Sequence, residues 1–184
     1  MTEISLNILD VAENSTKAGA KLVEISVLVD FNQDTLTVII KDDGCGMTEE
    51  QVAKVIDPFY TTRTTRKVGL GVPFFKQAAE ATGGSFEIKS EVGVGTYEKA
   101  VFVLSSIDRM PLGDICLTMQ NLIVYHPETD FLYTYQVDGE GFVLDTREFR
   151  EILGDVPFDT PEVSAYILDY LRENTKEVNK ERNI

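Results

Sequence analysis

Cysteine, histidine and long apolar runs are all scarce in this 184-residue chain, and each scarcity excludes something. No stretch approaches the roughly 18 to 20 uninterrupted apolar residues that a membrane span needs. The N-terminus MTEISLNILD also lacks the basic-then-apolar order of a signal peptide, so the sequence predicts a soluble, cytoplasmic protein. Cys45 and Cys116 lie far apart in unrelated contexts, which points away from a disulfide framework or a CxxC metal site and fits a reducing compartment. Positive charge is scarce as well. Thirty-one acidic against seventeen basic residues give a formal charge of −14, which repels phosphate backbones and disfavours general binding to nucleic acid or anionic membranes. A nucleotide would have to be held by a local site.

What is present is enough for one core, or one core with an appendage, since 43% of the residues are hydrophobic. In residues 5–19, Leu6, Leu9, Ala12 and Ala20 fall near helical spacing. Asp10, Asn14 and Lys17 recur at steps of four and three on another stripe, which can face a ligand. Gly19 closes this helix. LVEISVLVD (22–30) and DTLTVIIKD (34–42) then read as a hairpin across FNQD. Thr48 with Gln51 has capping-box character and starts a short helix that ends near Asp57, ahead of Pro58. GLGVPFFKQAAEATGG is a loop turning into a helix that stops at Gly83 and Gly84, and strands follow at 85–90 and 97–104.

After Ser106 the texture changes. The pattern predicts a helix from Pro111 through Ile123, a strand at FLYTYQV, a DGEG turn, FVLDT, a helix near 147–153 and an amphipathic helix over 162–172. The last dozen residues are charged and are expected to fray. The chain thus divides into 1–106 and an appended α+β module, 107–184, packed on it. The module carries 16 acidic and 7 basic residues, net −9, against 15 and 10, net −5, in residues 1–106.

Four motifs carry chemistry. LDVAENSTKAGA (9–20) contributes Asp10, Asn14 and Lys17. DDGCGM (42–47) follows a strand directly, and its Asp42, Gly44 and Gly46 fit DxGxG, where a carboxylate can accept an amine and the glycines let backbone pass close to a ligand. DPFYTTRTTRKVGLGV (57–72) combines Phe59 and Tyr60 with the basic Arg63, Arg66 and Lys67, and its glycines Gly69 and Gly71 offer backbone donors at a helix start. GVGT (93–96) places Thr96 after two glycines. Each motif alone is more often a solvated helix face, an acidic turn, core packing or an ordinary glycine turn. Their joint occurrence, in order and on suitable elements, is what carries weight.

Over residues 5–105 this set resembles the superfamily of gyrase, MutL and histidine-kinase ATPases. The resemblance implies the Bergerat fold, an α+β two-layer sandwich with a mixed, mainly antiparallel sheet, here with a small C-terminal α+β extension. It implies ATP and Mg²⁺ as ligands, with Asn14 presenting its side-chain oxygen to magnesium and Lys17 meeting phosphate as a point charge. It also implies that Asp42 accepts the adenine amine near Thr96, and that Met47, Phe59, Leu70 and Val72 join the nucleotide contacts. Many relatives carry a Glu one turn before the Asn. Asp10 stands there, one methylene shorter, as a candidate base or a water-mediated magnesium group.

Two departures accompany the resemblance. Only nine residues precede Asp10, so the edge strand of the family is missing and the FLYTYQV hairpin is the candidate to occupy that edge. Only five residues separate Arg63 from Gly69, a short lid. The single histidine, His126, precedes Pro127, which pushes it out of helical geometry, so it does not suit a phosphoacceptor on a helix. The favoured reading is an ATPase or kinase-type module acting on a partner protein. A nucleotide-gated binding module with little turnover is the alternative, and a MutL-like DNA-linked ATPase is third. A homodimer stays open.

Overall fold

The computed structural model describes residues 2–59 and 70–184. Helix α1 spans Ile4–Lys17, and its buried face is Ile4, Ile8, Val11, Ala12 and Ser15. The sequence pattern placed Leu6 and Leu9 on that face, but Leu6 is 38% exposed and Leu9 only flanks the core. The Ile4–Ile8–Val11–Ala12–Ser15 stripe runs unbroken through the helix, whereas Glu13 and Thr16 interrupt the other one. Among the described residues no side chain caps α1. Its first amides, from Ile4 and Ser5, donate instead to the carbonyls of Pro111 and Leu112 at 3.0 and 2.8 Å, which ties residues beyond 107 to this helix.

Strands β1 (Leu22–Asp30) and β2 (Thr35–Asp42) form the expected hairpin, with alternate residues buried along both. Helix α2 (Glu49–Val55) starts with the full capping box between Thr48 and Gln51. Helix α3 (Gly71–Ala81), β3 (Ser85–Glu91) and β4 (Gly95–Val103) follow. Helix α4 runs over Ile115–Tyr125 and not from Pro111, because the Asp114 carboxylate accepts from Leu117 N and sets the start there. His126 is the residue at its C-terminal cap. Strands β5 (Asp130–Val137) and β6 (Glu140–Asp145) lead into α5 (Thr146–Leu153), capped by Asp145, and then α6 (Pro161–Asn179).

The strands make one sheet in the order β3-β4-β2-β1-β5-β6. Every pairing is antiparallel except β1 with β5, which runs parallel from Leu22↔Asp130 to Val29↔Val137. Strand β5 therefore covers the edge of β1, and the long connection through β3, β4 and α4 is the crossover a parallel neighbour requires. Helix α1 packs between α3 and α4, and α4 packs against α6, giving a helix layer over one face of the sheet. The architecture is α+β in two layers with a mixed sheet, and the buried side chains of both layers form one cluster.

The tail differs from expectation. Helix α6 continues seven residues past Arg172 to Asn179. Tyr135 Oη donates to Asn179 Oδ1 at 2.7 Å, Lys180 pairs with Glu140, and Arg182 pairs with Asp138. Those long-range ties to β5 and the β5–β6 turn hold residues that local charge alone makes look solvated. Among the described residues no helix is long and apolar enough to cross a membrane.

Candidate functional site

At one end of the sheet, the last residue of β2, the first residues of β4 and the final turns of α1 converge with the 43–47 loop. They surround a cavity of about 130 Å³ whose lining includes Asn14, Ser15, Asp42, Gly46, Met47, Val72, Thr96 and Glu98. Several polar side chains meet in this small space.

Asp42 is its anchor. Its Oδ2 accepts from Ser15 Oγ at 2.6 Å and its Oδ1 accepts from Gly44 N at 2.9 Å. An ionised carboxylate offers about four lone-pair sites, so capacity remains for a ligand's donor. The neighbouring Asp43 is used differently. Its Oδ1 accepts from the amides of Lys21 and Leu22, stitching the loop to the start of β1. Thr96 stands opposite Asp42 in the β2–β4 ladder, and its Oγ1 shares a 2.8 Å hydrogen bond with Ser90 Oγ. Ser90 Oγ also accepts from Met47 N at 2.8 Å, so one hydroxyl on β3 fixes both the loop and Thr96.

Two glycines make this closeness possible. Gly46 has φ +67° and a Cβ there would lie 1.9 Å from Glu91 O, while a Cβ on Gly95, at φ +137°, would lie 1.9 Å from Asp42 O. Gly71, the first residue of α3, presses on Asp10, whose Cβ would be 2.8 Å from a Cβ on that glycine. Among the described residues no side chain caps the start of α3.

The other residues singled out in the sequence take several positions. Asp10 is exposed on α1, and its carboxyl is raised above the usual range by partial burial and, secondarily, by Glu13. Lys17 pairs with Glu13 at 3.1 Å and is largely solvated. Phe59 is 83% exposed and Leu70 is 42% exposed. Tyr60, Arg63, Arg66, Lys67 and Gly69 lie outside the described residues. Among those described, no group of three His, Cys, Asp or Glu side chains could by itself hold a metal ion.

Glu98, Ser15 and Ser90 escaped sequence reasoning. Glu98 has a visible signal, because it interrupts the inward-facing series Thr96, Glu98, Ala100, Phe102 of β4. It is 5% exposed, and burial, with Asp42's charge second, pushes its carboxyl up to about 8. A larger hollow, about 350 Å³, lies at the same end between the outward-facing Glu24, Lys41, Lys89 and Tyr97, and it shares Asp42 and Thr96 with the first. We place the site in the smaller cavity, because that is where buried polar groups with spare bonding capacity converge.

Residues 1–107 match the family of histidine kinase-, DNA gyrase B- and HSP90-like ATPases. The sensor protein SrrB of Staphylococcus aureus strain NCTC 8325 is 37% identical over 101 residues, which covers 52% of this chain and 17% of that protein. SrrB of strain COL gives the same figures. The chain thus spans under a fifth of the length of these curated relatives. Among solved structures, the Aquifex aeolicus MutL ATPase domain complexed with ADP superposes with a TM-score of 0.57 at 14% identity, covering 92% of this chain and 70% of that one. The N-terminal domain of a DNA repair protein does so at 0.56 and 11% identity, covering 79% and 53%. These two likenesses are of fold. A 92% coverage cannot be met by residues 1–107 alone, so the shared fold takes in most of the residues beyond them.

Proposed function

The chain belongs to the family of histidine kinase-, DNA gyrase B- and HSP90-like ATPases, and from that premise we propose that its pocket holds ATP with Mg²⁺ and that the domain works as an ATPase or kinase-type regulatory module on a partner protein. One observation carries this: Asp42 lines the pocket opposite Thr96 and, with one bond to each oxygen, retains acceptor capacity for a base amine. The fixed Ser15 and Gly44 bonds hold the carboxylate in place before any ligand arrives, which lowers the ordering cost of binding.

Asn14 lines the same pocket from α1 and would offer magnesium one oxygen. A magnesium ion that takes one or two protein oxygens and completes its shell with phosphates and water suits such a sparse donor set. Lys17, released from Glu13, would meet phosphate as a point charge. Asp10, beside Gly71 at the start of α3, would act as base or as a water-mediated magnesium group. Arg63, Arg66, Lys67 and Gly69 are proposed as phosphate ligands from the sequence alone. A cytoplasmic location and a signalling role complete this reading.

A nucleotide-gated switch with little turnover is favoured by a separate observation. The amides that open α1 are held by Pro111 and Leu112, so the helix bearing Asn14 is bonded directly to the segment leading into α4. A shift of α1 on nucleotide binding would be felt there. A DNA-linked role is opposed by the formal charge of −14.

Titration of ATP, ADP and GTP with and without Mg²⁺, followed by a phosphate-release assay, tests the proposal. The expected result is binding selective for adenine, strengthened by magnesium, with slow phosphate release. Equal affinity for GTP and ATP would remove Asp42 from base recognition, and indifference to magnesium would remove Asn14. Tight binding with no release would decide for the switch.

A further inference from the structure

Glu98 faces the pocket from β4, two residues beyond Thr96, and its Oε2 has no hydrogen-bond partner among the described residues. Its cross-strand neighbours are Ile40 on β2 and Ile88 on β3, so its flanks are apolar. The polar and titratable groups that line the cavity with it are Asn14 and Ser15 from α1, Asp42 from the end of β2, Cys45 from the following loop and Thr96 from β4. Asp42 and Cys45 are the titratable ones, and neither can supply positive charge. An ionised, unpartnered carboxylate in such surroundings is costly, and the group answers by keeping its proton. A neutral carboxyl is a hydrogen-bond donor, which an ionised one is not.

The pocket therefore presents two carboxyl groups in opposite roles: Asp42 as acceptor and Glu98 as donor. Adenine carries the matching pair, with its exocyclic amine as donor and the adjacent ring nitrogen N1 as acceptor. Guanine carries the reverse, a carbonyl oxygen beside N1–H. We propose that Glu98 is a second base-reading residue, donating from its neutral carboxyl to adenine N1 while Asp42 accepts from the amine. This rests on the nucleotide reading of the pocket and adds a specificity-determining residue to it. Because binding consumes the protonated form, affinity should decline as Glu98 ionises.

The test is a calorimetric titration of ATP, 1-deaza-ATP and 7-deaza-ATP against the wild-type chain, Glu98→Gln and Glu98→Met, with thermal melts to show that each variant folds. At pH 7 the wild type should bind 1-deaza-ATP about tenfold more weakly than ATP, the worth of one hydrogen bond, and should bind 7-deaza-ATP like ATP. Glu98→Gln, which keeps a donor but cannot ionise, should retain the preference for ATP over 1-deaza-ATP. Glu98→Met should lose it. From pH 8 to 9.5 wild-type affinity for ATP should fall toward about tenfold per unit, while that of Glu98→Gln should stay level. Equal binding of ATP and 1-deaza-ATP by the wild type, or survival of the preference in Glu98→Met, would overturn the proposal and leave the pocket assignment standing. A loss confined to 7-deaza-ATP would likewise overturn the N1 contact. Failure of ATP itself to bind would overturn both.

Discussion

Strands β2 and β5 flank β1 on either side, each paired with it over eight residues, yet what they carry inward differs. Strand β2 buries Leu36, Val38 and Ile40 and then ends in Asp42, where Ser15, Thr96 and Glu98 gather. Strand β5 buries Phe131, Tyr133, Tyr135 and Val137, apolar or aromatic to its end. Beyond it the rings of Phe142, Tyr170 and Phe149 continue edge to face. The candidate site lies where the inward-facing apolar series of β2 gives way to a carboxylate at the sheet's end. The other flank supports β1 and seals its edge. Changes on the β5 side should therefore cost stability, and changes on the β2 side should cost ligand.

The largest expected effect lies on the β5 side. Tyr133→Ala should destabilise the fold by about 3 to 5 kcal/mol, the usual result of emptying a buried aromatic site, read as a lowered urea midpoint. A cost below about 1 kcal/mol would mean that β5 is not integral to the core. On the other flank, Asp42→Asn should leave the melting temperature nearly unchanged and weaken ATP by about 2 to 3 kcal/mol, because a charged acceptor is replaced by a group that turns a donor toward the amine. Equal losses of stability and affinity would erase the contrast between the two sides.

A third effect depends on pH. Glu98 has its folded-state carboxyl at about 8, above the 4.5 of an unperturbed group. Between those values the native chain holds a proton that the unfolded chain has released. Its stabilising contribution is thus fully present below about pH 4.5, is lost as pH rises toward 8, and changes no further above that. The unfolding free energy from urea titrations should fall across pH 5.5 to 8 with a slope of at most about 1.4 kcal/mol per unit, and Glu98→Gln should flatten that segment. An unaltered slope in the variant would mean that other groups produce it.

The smallest effects separate two tyrosines on one strand. Tyr135 Oη donates to Asn179, whereas Tyr133 Oη is buried without a partner among the described residues. Tyr135→Phe should cost about 1 kcal/mol and loosen the end of α6, while Tyr133→Phe should be neutral or stabilising by a similar amount. Chemical denaturation of both variants provides the check. A reversed order would show that the Tyr133 hydroxyl has found a partner in solution.

Local signals in the sequence were enough for the β1–β2 hairpin, through its alternation, and for α2, through the Thr48–Gln51 capping box. They also set the end of the second strand at Asp42, because the turn-forming DxGxG begins there. They misjudged the phase of α1, where Leu6 and Leu9 compete with the buried Ile4–Ile8–Val11 stripe. They began α4 too early, since Pro111 suits a helix start as well as Asp114 does. They ended α6 too soon, because Asn179, Lys180 and Arg182 are held by partners some 40 residues away. Glu98 was missed for a related reason. Its proximity to Asp42 depends on the β2–β4 register, which no single segment encodes.

A crystal structure of the chain with ADP would test the central claim most directly. The account predicts the adenine in the pocket between α1 and the end of β2, with its amine within hydrogen-bond reach of Asp42 and the adjacent N1 toward Glu98. Adenine seated instead among Glu24, Lys41, Lys89 and Tyr97, away from Asn14 and Glu98 and with its amine unbonded to Asp42, would contradict it.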